Sequence, residues 1–201
     1  MDTCPEWLVQ EMGPLTAEVG SILGSNEEGV QKARRLYAAY GRRGLHALLI
    51  PRDKGGRGLD HLSAGMVYEA LSYELPGTLH GTITTAHCAA MIMSGMNNAF
   101  HGQRLRAIAG PDHPAAFCLT EKDAGSDMGA ILTRAEKASG CYVLTGEKAV
   151  AINHAVAGTL LAIAVVPPAS GRAALNAFAV DASSGGIDIG PAWDAPGLAG
   201  G

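Results

Sequence analysis

A change of hydrophobic pattern near the middle of the chain constrains the fold more than any other feature. Before residue 110, apolar residues recur every three or four positions, which is typical of amphipathic helices. After Pro114 they form short runs separated by turn-forming residues, which is typical of β-strands. Pro111 and Pro114 bracket the change. The 201 residues therefore predict an α+β protein, with an all-helical domain over 1–112 and a β-barrel or sandwich over 113–201.

The pattern also predicts individual elements. Helices are expected over residues 7–23, 26–41, 60–74, 78–95 and 98–109. Strands are expected over residues 115–120, 131–136, 141–144, 160–166, 177–180 and 186–190, and a further strand is expected between the Gly146 turn and Asn153. A turn over residues 138–140 should join two of these strands into a hairpin.

Charge and composition exclude several classes of partner. Lys and Arg number 15 against 19 Asp and Glu, a net charge of -4, so neither nucleic acid nor an anionic membrane is an expected partner. The longest apolar run, residues 160–166, is too short to span a bilayer, and the acidic N-terminus has no signal-peptide pattern, which predicts a cytoplasmic protein. The four cysteines are scattered, so we expect reduced, buried thiols and no metal site.

Two polar segments of the second half carry the residues suited to chemistry. Residues 120–127 read Thr-Glu-Lys-Asp-Ala-Gly-Ser-Asp, a turn that exposes main-chain N–H groups and a hydroxyl. Such groups hold phosphates or the polar edge of a flavin, although an ordinary capped loop uses the same residues. Residues 146–153 begin Gly-Glu-Lys and end at Asn, and alone they predict no more than a hairpin.

Together, Thr-Glu-x-x-Ala-Gly-Ser-Asp and Gly-Glu-Lys-x-x-x-x-Asn resemble the middle domain of the acyl-CoA dehydrogenase family. Residues 44–59, with their Gly-Gly-Arg-Gly turn, resemble that family's loop between early helices, so the resemblance runs from about residue 7 to 201. It implies a helical domain, a middle β-barrel and a C-terminal four-helix bundle, with FAD bound between barrel and bundles. It also implies that a carboxylate removes a proton from an acyl thioester while the flavin accepts a hydride.

The resemblance implies flavin contacts for seven residues of this chain. They are Phe117, Leu119, Thr120, Gly125, Ser126, Val150 and Ile152. Thr120 would donate its hydroxyl to the ring, and Ser126 would also lie at the mouth of the acyl thioester site. Val150 and Ile152 stand where the family usually has an aromatic residue and a Thr, so one packing wall and one hydrogen bond are missing.

The length of the sequence limits the expected activity. The 201 residues end inside what should be the barrel, and the bundle that usually supplies the catalytic Glu, part of the FAD site and the oligomer interface is not among them. No carboxylate of this chain, Glu69, Glu74 and Glu121 included, matches a family base, so no catalytic residue is predicted.

We therefore expect an FAD-dependent acyl-CoA dehydrogenase-like oxidoreductase, homo- or hetero-oligomeric, that needs a partner chain or a further segment. Its substrate would be an acyl thioester of coenzyme A or of a carrier protein. A non-catalytic binding or assembly subunit, an inactive truncated homologue, and a monooxygenase or nitroalkane oxidase of the same fold stay open as alternatives.

Overall fold

A computed structural model describes residues 5–94, 99–167 and 174–191. Within them, five α-helices precede five β-strands. The helices are α1 Glu6–Leu23, α2 Gly29–Gly41, α3 His61–Glu74, α4 His80–Ser94 and α5 Ala99–Ala109. The strands are β1 Ala115–Cys118, β2 Arg134–Ala138, β3 Cys141–Thr145, β4 Thr159–Val166 and β5 Ala174–Asp181. This order confirms the predicted α+β class; the ends predicted at residues 95 and 98 lie outside the described residues.

The helix bounds follow from periodicity and from local caps. The buried positions of α1 are spaced by three, four and seven residues, which places them on one face of the helix. Asp60 caps α3 by accepting a hydrogen bond of 2.8 Å from the Ser63 N–H. The predicted start of α2 at Asn26 is wrong, because Ser25 bonds the Ile22 carbonyl and the residues up to Glu28 form a connection instead.

Two apolar clusters hold the helices together and place them on the sheet. The first joins α1, α2 and α3 around Tyr40 and Leu71. The second packs side chains of α4 and α5, including Cys88, Leu105 and Ile108, against Leu161 on β4. Helices α4 and α5 therefore cover one face of the sheet, and burial of this apolar surface joins the helical half to the strand half.

The sheet is built around β4. Strand β1 runs parallel to β4 with Ala115 opposite Thr159, and β5 runs antiparallel to β4 along its full length. Strands β2 and β3 form the predicted antiparallel hairpin, which meets β4 at a single pair, Arg134 opposite Val165. The described sheet order is thus β1-β4-β2-β3, with β5 on β4.

Four strand predictions need correction. The strand predicted over 115–120 ends at Cys118, and the one predicted over 131–136 begins at Arg134, because the amides of Leu132 and Thr133 donate to a Glu121 side chain instead of to a strand. The strand predicted between the Gly146 turn and Asn153 is a loop that turns at Asn153, whose φ is 71°. The strand predicted over 186–190 is an exposed coil beginning at Gly186, φ 83°.

The cysteine prediction holds in part. Cys88 and Cys118 are buried free thiols, as expected. Cys141 is free but exposed, because it begins β3 at the turn of the hairpin, where little packs against it. Cys4 lies outside the described residues. No helix in the described ranges is both long enough and apolar enough to cross a membrane.

The glycine-rich turn before α3 folds back on the chain that precedes it. The N–H groups of Arg57 and Leu59 donate to the carbonyls of Ala47 and Leu48 over 2.9 and 2.7 Å. A Cβ on Gly56 would overlap the main-chain oxygen of Ile50, an atom that cannot move without breaking this pairing. The turn therefore requires glycine at this position.

We expect Gly56→Ala to lower the free energy of unfolding by about 1–3 kcal/mol, the usual cost of overpacking. Gly65→Ala on α3 is the matched control, because its Cβ would have no neighbour within 4 Å. It should stabilise the helix by up to about 1 kcal/mol. Urea unfolding followed by circular dichroism measures both changes, and equal stability of the two variants would contradict the close approach at Gly56.

Candidate functional site

An ion pair joins the two polar segments. Lys148 Nζ lies 2.8 Å from Glu121 Oε1, and the two side chains are only 12% and 8% exposed. The same ammonium donates to the Leu119 carbonyl over 3.0 Å, and the Ala149 N–H donates to the Thr120 carbonyl over 2.8 Å. Residues 119–121 and 148–149 therefore form one contiguous patch, although they are far apart in the chain.

The Glu121 carboxylate is fully engaged. Besides Lys148, the main-chain N–H groups of Leu132 and Thr133 donate to it over 2.7 and 3.0 Å, and the Thr133 hydroxyl donates as well. Burial alone would raise the pKa of this carboxyl, but the hydrogen bonds from Lys148, Thr133 and the two amides outweigh it and lower the pKa to about 2. Glu121 is thus a structural anion: both of its oxygens accept hydrogen bonds, and a carboxylate with this lowered pKa is a weak base at neutral pH.

The turn after Glu121 projects its small residues outward. Glu121 and Ala124 exchange main-chain hydrogen bonds of 3.0 and 3.2 Å, and Ala124 is buried against Ile131 and Ile163. Asp127 ends the turn by accepting a bond of 2.9 Å from the Gly129 N–H. With both ends held, Gly125 and Ser126 are exposed between them.

The seven residues assigned from the resemblance fall into three groups. Leu119, Thr120, Gly125 and Ser126 lie on the patch or on the turn that follows it. Phe117 is less available, because its half-buried ring packs between the two apolar clusters and lies 5.2 Å from the His87 ring. Val150 and Ile152 lie in the loop 147–157 that follows the patch, where Val150 is 44% exposed and Ile152 is half-buried.

Several groups on this surface are free to bind a ligand. Across the described part of the chain, no hydrogen bond engages the hydroxyl of Thr120 or Ser126. A Cβ on Gly125 would meet nothing within 4 Å, so the space beside it is open. Hydroxyls beside open space and a half-buried apolar side chain suit a ligand with one polar edge and one flat apolar face.

Sequence reasoning assigned no role to Lys148, Thr133 or Asn153. Lys148 and Asn153 were part of the second motif, but nothing in a linear sequence states which distant group each one contacts. Thr133 carries no motif signal, and its role follows from the path of the chain into β2. Among the described residues, no group of His, Cys, Asp and Glu side chains has the arrangement of a metal site.

Comparison with known proteins identifies the family of this chain. The family model for the acyl-CoA dehydrogenase N-terminal domain matches residues 2–109, and the model for the middle domain matches residues 116–201. The acyl-CoA dehydrogenase of Bacillus subtilis (strain 168) is 30% identical over 159 residues, which is 78% of this chain and 41% of that protein. An L-prolyl-[peptidyl-carrier protein] dehydrogenase of Pseudomonas fluorescens is 31% identical over 170 residues, 82% of this chain and 44% of that protein.

A solved structure shares the fold. The crystal structure of an acyl-CoA dehydrogenase from Bacillus anthracis, complexed with FAD, superposes with a TM-score of 0.74 at 22% identity and covers 94% of this chain and 33% of that one. The chain belongs to the acyl-CoA dehydrogenase family, which confirms the resemblance inferred from the two motifs. It spans less than half the length of these curated relatives.

Glu121→Gln should destabilise the protein by roughly 3 kcal/mol, because it leaves the buried Lys148 ammonium without its counter-charge. The matched control is Glu27→Gln, which removes the exposed 2.9 Å pair with Arg35 and should cost less than about 1 kcal/mol. Chemical denaturation at neutral pH measures both. A cost for Glu121→Gln no larger than that of the control would contradict the structural role of this pair.

The stability difference between wild type and Glu121→Gln should depend on pH in a defined direction. Folding lowers the pKa of the Glu121 carboxyl from 4.5 to about 2, so its ionised form stabilises the fold above pH 4.5. That contribution is lost as the pH falls towards 2. The stability difference between wild type and Glu121→Gln should therefore be largest at neutral pH and shrink in acid. A difference that grows in acid would refute the assignment.

Proposed function

We propose that this chain is part of an FAD-dependent oxidoreductase that dehydrogenates an acyl thioester, with its two domains dividing near residue 112. In this proposal a complementary part, from a partner chain or a further segment, completes the site and supplies the base. The observation that carries the proposal is the buried Glu121–Lys148 pair. It joins the two motifs and leaves Gly125 and Ser126 exposed beside the free hydroxyl of Thr120.

The residues present fit a flavin along one edge. The Thr120 hydroxyl can donate to a polar ring edge, and the open space at Gly125 lets main-chain amides approach a pyrophosphate. Leu119 offers a half-buried apolar contact. Val150 and Ile152 offer neither an aromatic face nor a hydroxyl, so binding by this chain should be weaker than the intact family pattern would give.

The chemistry divides between cofactor and protein. A bound flavin supplies the acceptor for a hydride from the acyl chain. Thr120 would orient the ring through its hydroxyl, and Ser126 would lie where a thioester enters. The matched relatives are named for acyl-CoA and for a peptidyl-carrier protein thioester, which supports an acyl thioester as the substrate class.

A second candidate function is that of a non-catalytic subunit with the same fold. The departures at Val150 and Ile152 favour a binding or assembly subunit that has lost its flavin. Apolar side chains exposed on the strand half support this alternative, since such surface is usually covered by a partner. They include Leu132, Tyr142, Val143 and Leu175. The two functions differ in one measurable property, the affinity for FAD.

The first test is a titration of the full chain with FAD, alone and with a C-terminal four-helix fragment of a family relative. We expect visible flavin absorbance to stay with the protein, and Thr120→Val to weaken FAD binding about fivefold by removing one hydrogen bond. Thr120→Ser should restore it. Thr145→Val, an exposed position on β3, should leave it unchanged. No retained flavin in either preparation would contradict the proposal and favour the assembly subunit.

A second test introduces an aromatic residue at Val150, where the family usually has one. Val150→Trp places an aromatic ring at an exposed position beside the patch, and an aromatic contact is worth about 0.5–1.5 kcal/mol. FAD binding should therefore tighten about two- to tenfold. Leu62→Trp on α3, at a site 76% exposed and remote in sequence, is the control. Equal FAD affinity in the two variants, measured by quenching of flavin fluorescence, would place Val150 outside the site.

A further inference from the structure

Asn153 has an unusual backbone and an unusual number of partners. It is the one non-glycine residue with positive φ in the described ranges, at 71°, a conformation that Asn tolerates better than most residues. Its Nδ2 lies 2.8 Å from the Gly81 carbonyl, 2.9 Å from the Ala115 carbonyl and 3.1 Å from Thr85 Oγ1. The residue is 5% exposed, so these bonds replace water.

The three acceptors belong to two different elements. Gly81 and Thr85 lie on α4, and Ala115 is the first residue of β1. The Thr85 hydroxyl also accepts from the Ala115 N–H over 3.2 Å, so α4, β1 and the loop 147–157 meet in one polar cluster. A Cβ on Gly81 would overlap Asn153 Oδ1, which shows how closely the amide is seated on the helix.

The same residue organises its own loop. The N–H groups of Val156 and Ala157 both donate to the Asn153 carbonyl over 2.9 Å. At its other end the loop is held by Lys148 and Ala149, which bond to Glu121 and Thr120. Val150 and Ile152 lie between these two anchors, so their positions depend on both.

We propose that Asn153 is a positioning residue, which latches the loop 147–157 to α4 and β1 and thereby places Val150 and Ile152 at the flavin-facing surface. The placement of a flavin there rests on the proposed function, whereas the latch itself does not. The position favours a donor, because two of the three partners are carbonyl oxygens, which can only accept, and an acceptor placed against them would be repelled.

The test replaces the donor with an acceptor of the same shape. In Asn153→Asp the introduced carboxylate faces two carbonyls and a hydroxyl, so it should open the loop when ionised and restore it in part when protonated. Three titratable side chains lie near this cluster in the described part of the chain: Tyr37, His113 and His154. The Tyr37 hydroxyl donates to the Ile108 carbonyl, and burial raises its pKa. His113 packs against Gly158 and bonds the Thr159 hydroxyl, and burial lowers its pKa, whereas His154 bonds the Ala151 carbonyl. Wild type contains all three, so its own pH dependence is the reference.

Hydrogen exchange of residues 147–157 in the full chain is measured at pH 5 and pH 8 and corrected for the intrinsic rate. We expect exchange in Asn153→Asp to be roughly tenfold faster than wild type at pH 8 and closer to wild type at pH 5. Glycine tolerates the left-handed backbone, so Asn153→Gly removes only the side-chain amide. Its loop should therefore open at both pH 5 and pH 8. Asn176→Asp, at an exposed position on β5, is the matched control and should behave as wild type.

The FAD affinity of the same variants is measured to distinguish two claims: that Asn153 holds the loop, and that the loop so held positions a flavin. Weaker FAD binding by Asn153→Asp at pH 8 than at pH 5, relative to wild type, supports the positioning role. A loop that opens while FAD affinity is unchanged overturns that role, and unchanged exchange in both Asn153 variants overturns the latch. If wild type binds no FAD, the proposed function and the positioning of a flavin fail together, and exchange alone still decides the latch.

Discussion

The buried ion pair between Glu121 and Lys148 is the interaction on which the arrangement of the strand half depends. Removing two charges from water is costly, and the cost is offset by the attraction between the charges and by additional hydrogen bonds to each of them. Here the carboxylate has four donors and the ammonium has a second acceptor in the Leu119 carbonyl. The pair thereby links the end of β1, the approach to β2 and the loop 147–157. Glu121 is held at the start of the turn 121–127, and the residues in the middle of that turn, Gly125 and Ser126, are exposed to solvent.

The loop after Lys148 has a second anchor on the helical half. Asn153 ties it to α4, and a 2.6 Å ion pair between Arg104 and Asp181 joins α5 to the end of β5. The surface that carries Thr120, Ser126 and Val150 is therefore fixed from both halves of the molecule. Exposed residues are held more precisely when the contacts that support them are buried, as the Glu121–Lys148 pair and Asn153 are here.

Apolar periodicity was sufficient to predict the order of the helices and the β2–β3 hairpin, although not the start of α2. It failed where a side chain displaced a main-chain partner. The amides of Leu132 and Thr133 donate to Glu121, which delays the start of β2. The left-handed backbone at Asn153, whose side chain is held by α4 and β1, replaces the strand predicted after Gly146 with a loop. Local composition reveals neither effect, because the contacts of Glu121 and Asn153 join residues that are distant in sequence. The resemblance of the two motifs located the two segments of the candidate site. The roles of Lys148 and Asn153 could not be predicted, because they depend on contacts with distant residues.

The central claim is that residues 120–127 and 147–152 form one surface for a flavin. Amide chemical shifts of the isotope-labelled chain, recorded during titration with FAD, test it most directly. The account predicts that the largest shifts occur in both segments together, while the β2–β3 turn around Gly140 and helix α3 stay unchanged. Shifts confined to one segment, or largest in the glycine-rich turn near Gly56, would contradict it.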